Sequence, residues 1–287
     1  MFKSYDFCHP FPCTLPYSLA IVSSLRTLNK AVFLGRFVVV YPNSRPKRMN
    51  DFFVNDSGNK TLLAQMLSDF DTGIESISSK KKPLAEALRF MPDDQKNHFI
   101  DVLDKAIHDD DELHNSLEKG ERKSIQLDNR RFILSMKNGE LQAEELMMDH
   151  GNKGDLFGLL DESDGTQRLF DLVPAYEVVK GGRVILIDEV DRSFHSKLTE
   201  MYVRRYFELT KGKACQMICT THDLNLMTLS LLRQDEIWFA ERTAEHSTQL
   251  YSLSEFKTRS DKSILNDYVQ GRYGAVPCIL ENDHEEG

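Results

Sequence analysis

The chain has 287 residues, with 36 Lys+Arg against 45 Asp+Glu for a net charge of −9, and is 40% hydrophobic and 28% charged. That much apolar material excludes wholesale disorder, and the acidic balance excludes a dedicated nucleic-acid coat while leaving room for a local basic patch. No stretch approaches the ~20 apolar residues that span a bilayer, and the N-terminus lacks the charged-then-apolar layout of a secretory signal, so a cytoplasmic protein with no membrane partner is expected.

Five scattered cysteines (Cys8, Cys13, Cys215, Cys219, Cys278) fit reduced thiols, not a disulfide framework or a zinc site. The first fourteen residues have no period and read as an arm. Residues 15–30 are weakly helical in pattern, and the β-branched run at 36–41 (RFVVVY) predicts a buried strand ended by Pro42. From 56 to 123 the pattern turns helical. Leu62, Leu63, Met66 and Leu67 share one face, and Phe99, Val102, Leu103, Ala106, Ile107, Leu113 and Leu117 recur at threes and fours opposite an acidic face. This predicts one amphipathic helix whose acidic side is solvated, with Lys80-Lys81-Lys82 in a loop before Pro83.

After Gly120 strands and turns take over. Residues 131–136 and 140–146 flank Asn138-Gly139, a strong hairpin signal. A helix is expected over 166–179, a strand over 183–187, a helix over 197–209, a strand over 215–220, a short helix after Asp223, and an antiparallel pair at 237–240 and 249–253. Such alternation indicates an α/β fold with parallel central strands. The division expected is a mainly helical region over 1–125 and an α/β lobe over 126–287.

The sharpest chemical feature is Val184-Ile185-Leu186-Ile187-Asp188-Glu189, an apolar strand running into two carboxylates. Ligands of open α/β sheets bind beyond the carboxyl ends of the strands. One carboxylate there can hold Mg²⁺ through water, and a neighbour can orient or deprotonate an attacking water. Alone, the pattern is equally a strand ending in a polar turn. A second strand, however, ends in Thr221-His222-Asp223, where a histidine can reach a terminal phosphate. Upstream, Glu162-Ser163-Asp164-Gly165-Thr166-Gln167-Arg168 opens a helix with Ser163 as N-cap, and a helix N-terminus favours anions.

In this order these motifs resemble the C-terminal lobe of an ABC-class ATPase, closest to the prokaryotic AAA-core type related to SMC, RecF and OLD-like ATPases. Asp-Thr-Gly-Ile-Glu at 71–75 and Gly-Arg-Tyr-Gly-Ala-Val-Pro at 271–277 also look typical of that group. The resemblance implies ATP and Mg²⁺ as cofactors. It implies Ser163, Gly165 and Thr166 as the signature loop acting on the nucleotide of an opposite subunit, Asp188 as magnesium ligand, Glu189 as catalytic base and His222 as switch histidine. His195 stands where many such proteins carry an aspartate.

Phosphoryl transfer in this class also needs the loop G-x-x-x-x-G-K-[ST], and the sequence has none. Ser57-Gly58-Asn59-Lys60-Thr61 carries a Lys-Thr pair, but Asn59 and Val54 occupy the glycine positions. The expectation is therefore an ATP-hydrolysing domain whose phosphate-binding lobe lies on another polypeptide or has been lost, inactive alone. The alternative is a regulatory subunit that completes a partner's ATP site without turnover, and a non-catalytic adaptor using the acidic helical arm is a third. Expected partners are a second copy or a P-loop-bearing ATPase, with DNA or a defence effector beyond it. Arginine pairs at 130–131 and 204–205 are read as solvated surface, and no nuclease constellation is present.

Overall fold

A computed structural model describes residues 17–22, 37–42, 57–127, 130–152, 154–257 and 264–276; the expected N-terminal arm lies outside them. In chain order the elements are β1 (Tyr17–Val22), β2 (Phe37–Val40), α1 (Ser57–Ser68), β3 (Ser76–Pro83), α2 (Leu84–Ala87), α3 (Asp93–Asp109), α4 (Asp111–Glu118), β4 (Lys123–Leu127), β5 (Arg130–Lys137) and β6 (Glu140–Asp149). They continue with β7 (Leu156–Gly158), α5 (Asp164–Leu172), α6 (Pro174–Lys180), β8 (Val184–Ile187), α7 (Ser196–Thr210), β9 (Gln216–Thr221), β10 (Ile237–Arg242), β11 (Thr248–Ser252) and α8 (Ile264–Val269). Two compact units result. One comprises Met1–Pro42, Val184–Asp191 and Gln216–Gly287; the other comprises Asn43–Arg183 and Arg192–Cys215.

The first unit is built on a six-stranded sheet of order β11-β10-β1-β9-β8-β2. Its β2, β8 and β9 are parallel and the rest antiparallel. The mixed α/β class and the closing β10–β11 pair agree with the sequence reading. Residues 17–22 do not form the expected helix. Leu19 pairs with both Thr221 and Phe239, and a six-residue apolar run is too short to carry a helical period against two long-range ladders. The strand at 37–40 is present but lies at the sheet edge, so only Val40 is fully buried while Phe37 stays 44% exposed. In the sheet interior, Val184, Ile185 and Ile187 of β8 are buried, as a doubly flanked parallel strand requires. The ring of Phe239 stacks on Tyr268 at 5.4 Å and on Tyr273 at 5.7 Å. The Tyr251 hydroxyl lies 2.7 Å from the Tyr273 carbonyl, which fastens the 271–276 segment to the sheet.

The second unit carries an antiparallel sheet of order β3-β6-β5-β4, with β7 on β6. The Asn138-Gly139 hairpin forms as expected, with Lys137 opposite Glu140 and both turn residues at positive φ. Leu84, Leu88, Phe132, Leu134 and Ala143 build the core on one face, where Phe99, Ile100 and Leu103 of α3 pack.

The long amphipathic helix is two helices. Asp110 turns extended and its carboxylate accepts the N–H groups of Glu112 and Leu113, so it caps α4 instead of continuing α3. Val102 and Leu62, expected on apolar faces, are 53% and 37% exposed. Lys80-Lys81-Lys82 is no loop. It belongs to edge strand β3, opposite Glu145, Glu144 and Ala143, and lysines on an edge discourage further pairing. The fully buried Glu144 is ion-paired with Lys81 at 3.0 Å and with Arg122. The helix expected over 166–179 is divided by Pro174, which has no N–H to give and starts α6. Tyr176 and Tyr202 stack at 4.8 Å and tie α6 to α7.

Candidate functional site

In the first unit the carboxyl ends of neighbouring parallel strands β8 and β9 bring Asp188, Glu189 and His222 to one end of one sheet. Asp188 extends the ladder through its N–H to the Val40 carbonyl at 2.9 Å. The chain then breaks sharply: Glu189 takes φ +48°. A non-glycine residue there stores of order 1–3 kcal/mol and persists only when its surroundings hold it. The holder is Thr220 on β9. Its hydroxyl accepts the Glu189 N–H at 2.8 Å and donates to the Asp188 carboxylate at 2.6 Å. One hydroxyl thus fixes the acidic side chain of one residue and the backbone of the next. Val190 returns to the ladder through the Thr220 carbonyl at 3.0 Å.

His222 is exposed, and its backbone N–H donates to both carboxylate oxygens of Asp191 at 3.3 Å. Burial, and then the Asp191 charge, push the neighbouring Cys219 thiol up to about 12, so it stays an inert core group. Sequence reading missed Thr220 and Asp191. An alternating strand makes Thr220 look like an ordinary β residue, and only the β8–β9 register shows that its hydroxyl meets Asp188. Asp223 caps the following turn through one oxygen, while its Oδ2 is buried without a hydrogen-bond partner.

Ser163, Gly165 and Thr166 form their own group in the second unit. Ser163 is exposed at the N-cap of α5, where its Oγ accepts the Thr166 N–H at 3.2 Å and lies 2.9 Å from the buried Thr166 hydroxyl. A Cβ on Gly165 would come within 3.1 Å of the Ser193 carbonyl, so a side chain there would push the loop aside. Glu162 is held by His150 at 2.8 Å, and its carbonyl accepts Gln167 Nε2 at 2.9 Å. His195, expected at an aspartate's position, N-caps α7 by accepting the Lys197 N–H through Nδ1 at 3.2 Å.

Residues 22–228, well over half of the chain, match the family model described as "AAA domain, putative AbiEii toxin, Type IV TA system". The chain belongs to this AAA-domain family. No curated protein and no solved structure matches it. Membership makes the chain an AAA-type domain of the nucleotide-binding, ATPase-like kind.

The side chains of this AAA domain fit a hydrated magnesium nucleotide better than a protein-caged metal. Among the described residues no group of three or more His, Cys, Asp or Glu is arranged to hold an ion. Mg²⁺ with a nucleotide asks for only one or two carboxylates, with water and phosphate completing its shell, and Asp188, whose carboxylate accepts the Thr220 hydroxyl, can supply one. No helix among the described residues is long and apolar enough to cross a membrane.

Proposed function

We propose that this AAA domain supplies half of a composite ATP site and hydrolyses ATP with a phosphate-binding loop contributed by another polypeptide. The observation that carries the reading is the Asp188–Thr220–Glu189 bridge: at the end of β8 one hydroxyl from β9 holds the Asp188 carboxylate and the strained backbone of Glu189. Strain of that kind is kept where a side chain must be aimed. Asp188 would hold the Mg²⁺ water shell, the ion neutralising charge on the phosphates. Glu189 takes a proton from the attacking water as its oxygen bonds the γ-phosphorus and the bridging P–O bond to ADP breaks. His222 donates to the terminal phosphate. Ser163, Gly165 and Thr166, at the positive end of α5, would receive the γ-phosphate of a nucleotide held by the facing subunit. That arrangement implies pairing with a P-loop-bearing ATPase, since a second copy of this chain would bring another Ser163 loop but no phosphate-binding loop. The family description supports a role in a type IV toxin–antitoxin system, and anti-phage defence or DNA maintenance is the process we assign to it.

The test is Mg-ATP turnover by the pure chain, by a P-loop-bearing member of the same family, and by the two mixed. The chain alone should be inactive, the mixture should exceed the sum of its parts, and Glu189→Gln in this chain should remove the gain. Turnover by the chain alone, or a gain indifferent to Glu189→Gln, overturns the reading. A mixture that binds ATP more tightly without faster turnover favours the second reading, a regulatory subunit, for which the missing G-x-x-x-x-G-K-[ST] speaks.

A further inference from the structure

The second unit contains a cavity of about 550 Å³ between α3, α4 and the tip of the β5–β6 hairpin. Its size is that of ligand sites, roughly 300–1,000 Å³. Leu84, Ile100, Met136 and Leu141 give it an apolar lining. Asp104, Glu118 and Glu140 also line it, and no lysine or arginine does. Asp104 and Glu118 are 61% and 57% exposed, so their charges stand at the rim and not in the core.

His108 and His114 line the same cavity with ring centroids 5.3 Å apart. Nδ1 of His108 is committed to the Asp104 carbonyl at 2.8 Å. Nδ1 of His114 is buried and has no hydrogen-bond partner, a state that buried polar nitrogens rarely keep unless something else completes them. An apolar floor and a rim of three carboxylates, with His108 3.7 Å from Asp104 and His114 3.5 Å from Glu118, describe a site suited to a basic, partly apolar occupant.

We propose that this cavity docks a segment of a partner protein in which a lysine or arginine is flanked by apolar residues. The apolar side chains fill the floor and the cation sits among Asp104, Glu118 and Glu140. Asp104 and Glu118 of the helical arm thereby gain a use that the nucleotide reading does not give them.

The probe is a fluorescein-labelled peptide of sequence GLKLKLG, with GLELELG as control, measured by fluorescence anisotropy against the full chain at fixed pH. Binding of the basic peptide alone is expected. It should weaken at least tenfold in D104N/E118Q/E140Q and similarly in Met136→Glu, a change that adds acid but spoils the floor. The variant D109N/D111N/E112Q removes the same formal charge from the neighbouring acidic run and should bind as the unaltered chain does. Circular dichroism of each variant checks folding. Where a variant fails to fold, amide shift mapping on the unaltered chain decides, and shifts should centre on residues 100–118 and 136–141. Equal binding of both peptides, equal losses in the two charge variants, retention of binding in Met136→Glu, or shifts elsewhere overturn the proposal.

Discussion

A single hydroxyl on β9 does the work of two side chains at the strand ends. Thr220→Val keeps its shape but leaves the Glu189 N–H without its acceptor and Asp188 without its donor. Losing the partners of such groups costs about 1–3 kcal/mol. Denaturant unfolding should register that loss, and the turnover of a reconstituted mixture should fall at least tenfold, with Thr220→Ser close to the unaltered chain. The left-handed backbone at Glu189 gives a second residue-scale test. Asparagine tolerates this conformation and a β-branched residue does not. Glu189→Asn should therefore be at least about 1 kcal/mol more stable than Glu189→Val, while both lack turnover. Equal stability of the two would mean that the strain is not there. The acidic pair and His222 were legible in the sequence because an apolar strand that runs into charge is a local pattern. Thr220 and Asp191 were not, because their importance depends on which strand lies beside which.

Elements in the second unit depend on local chemistry at their ends. Gly139 sits at φ +77° in the hairpin turn, and a Cβ there would meet nothing within 4 Å. Gly139→Ala therefore carries only the conformational cost of a left-handed alanine, about 1–2 kcal/mol, and its unfolding midpoint should shift accordingly. The buried Glu144 links β3 to β6 and to the approach of β4. Burial alone would raise its pKa, but the Lys81 hydrogen bond and the Arg122 charge outweigh it and hold the carboxyl below the ordinary 4.5. A carboxyl whose folded pKa is depressed adds stability above its unfolded pKa and loses it as pH falls through the folded one. Unfolding free energy should thus fall as pH drops below about 4.5, and Glu144→Gln should flatten that limb while lowering stability at pH 7. An acid limb of unchanged steepness would place the linkage elsewhere. The hairpin was readable from two residues, Asn138 and Gly139. The break at Asp110 was not, since the apolar period runs straight through it and only the cap chemistry stops the helix.

At the scale of the molecule, the first unit assembles its sheet from segments far apart in the sequence. Residues 17–22 could not reveal themselves as a strand, because nothing within the run says that Leu19 will lie between Thr221 and Phe239. Proline at that central position removes a ladder hydrogen bond, which is why proline is confined to edge strands and bulges. Leu19→Pro should unfold the first unit, and the chain's one tryptophan, Trp238, faces Ala20 across the ladder and reports on it by fluorescence. Native-like emission from that variant would show that β1 is dispensable.

The long separation of β1 from β9 also bears on birth at the ribosome. Tyr17–Val22 emerges about two thirds of the chain ahead of Gln216–Thr221, and Ile237–Arg242 follows later still. At ~5–20 residues per second, synthesis leaves it without its neighbours for roughly 10–40 s. For that interval an apolar strand is available to any passing edge, so the nascent protein is a natural client for a chaperone that shields extended segments.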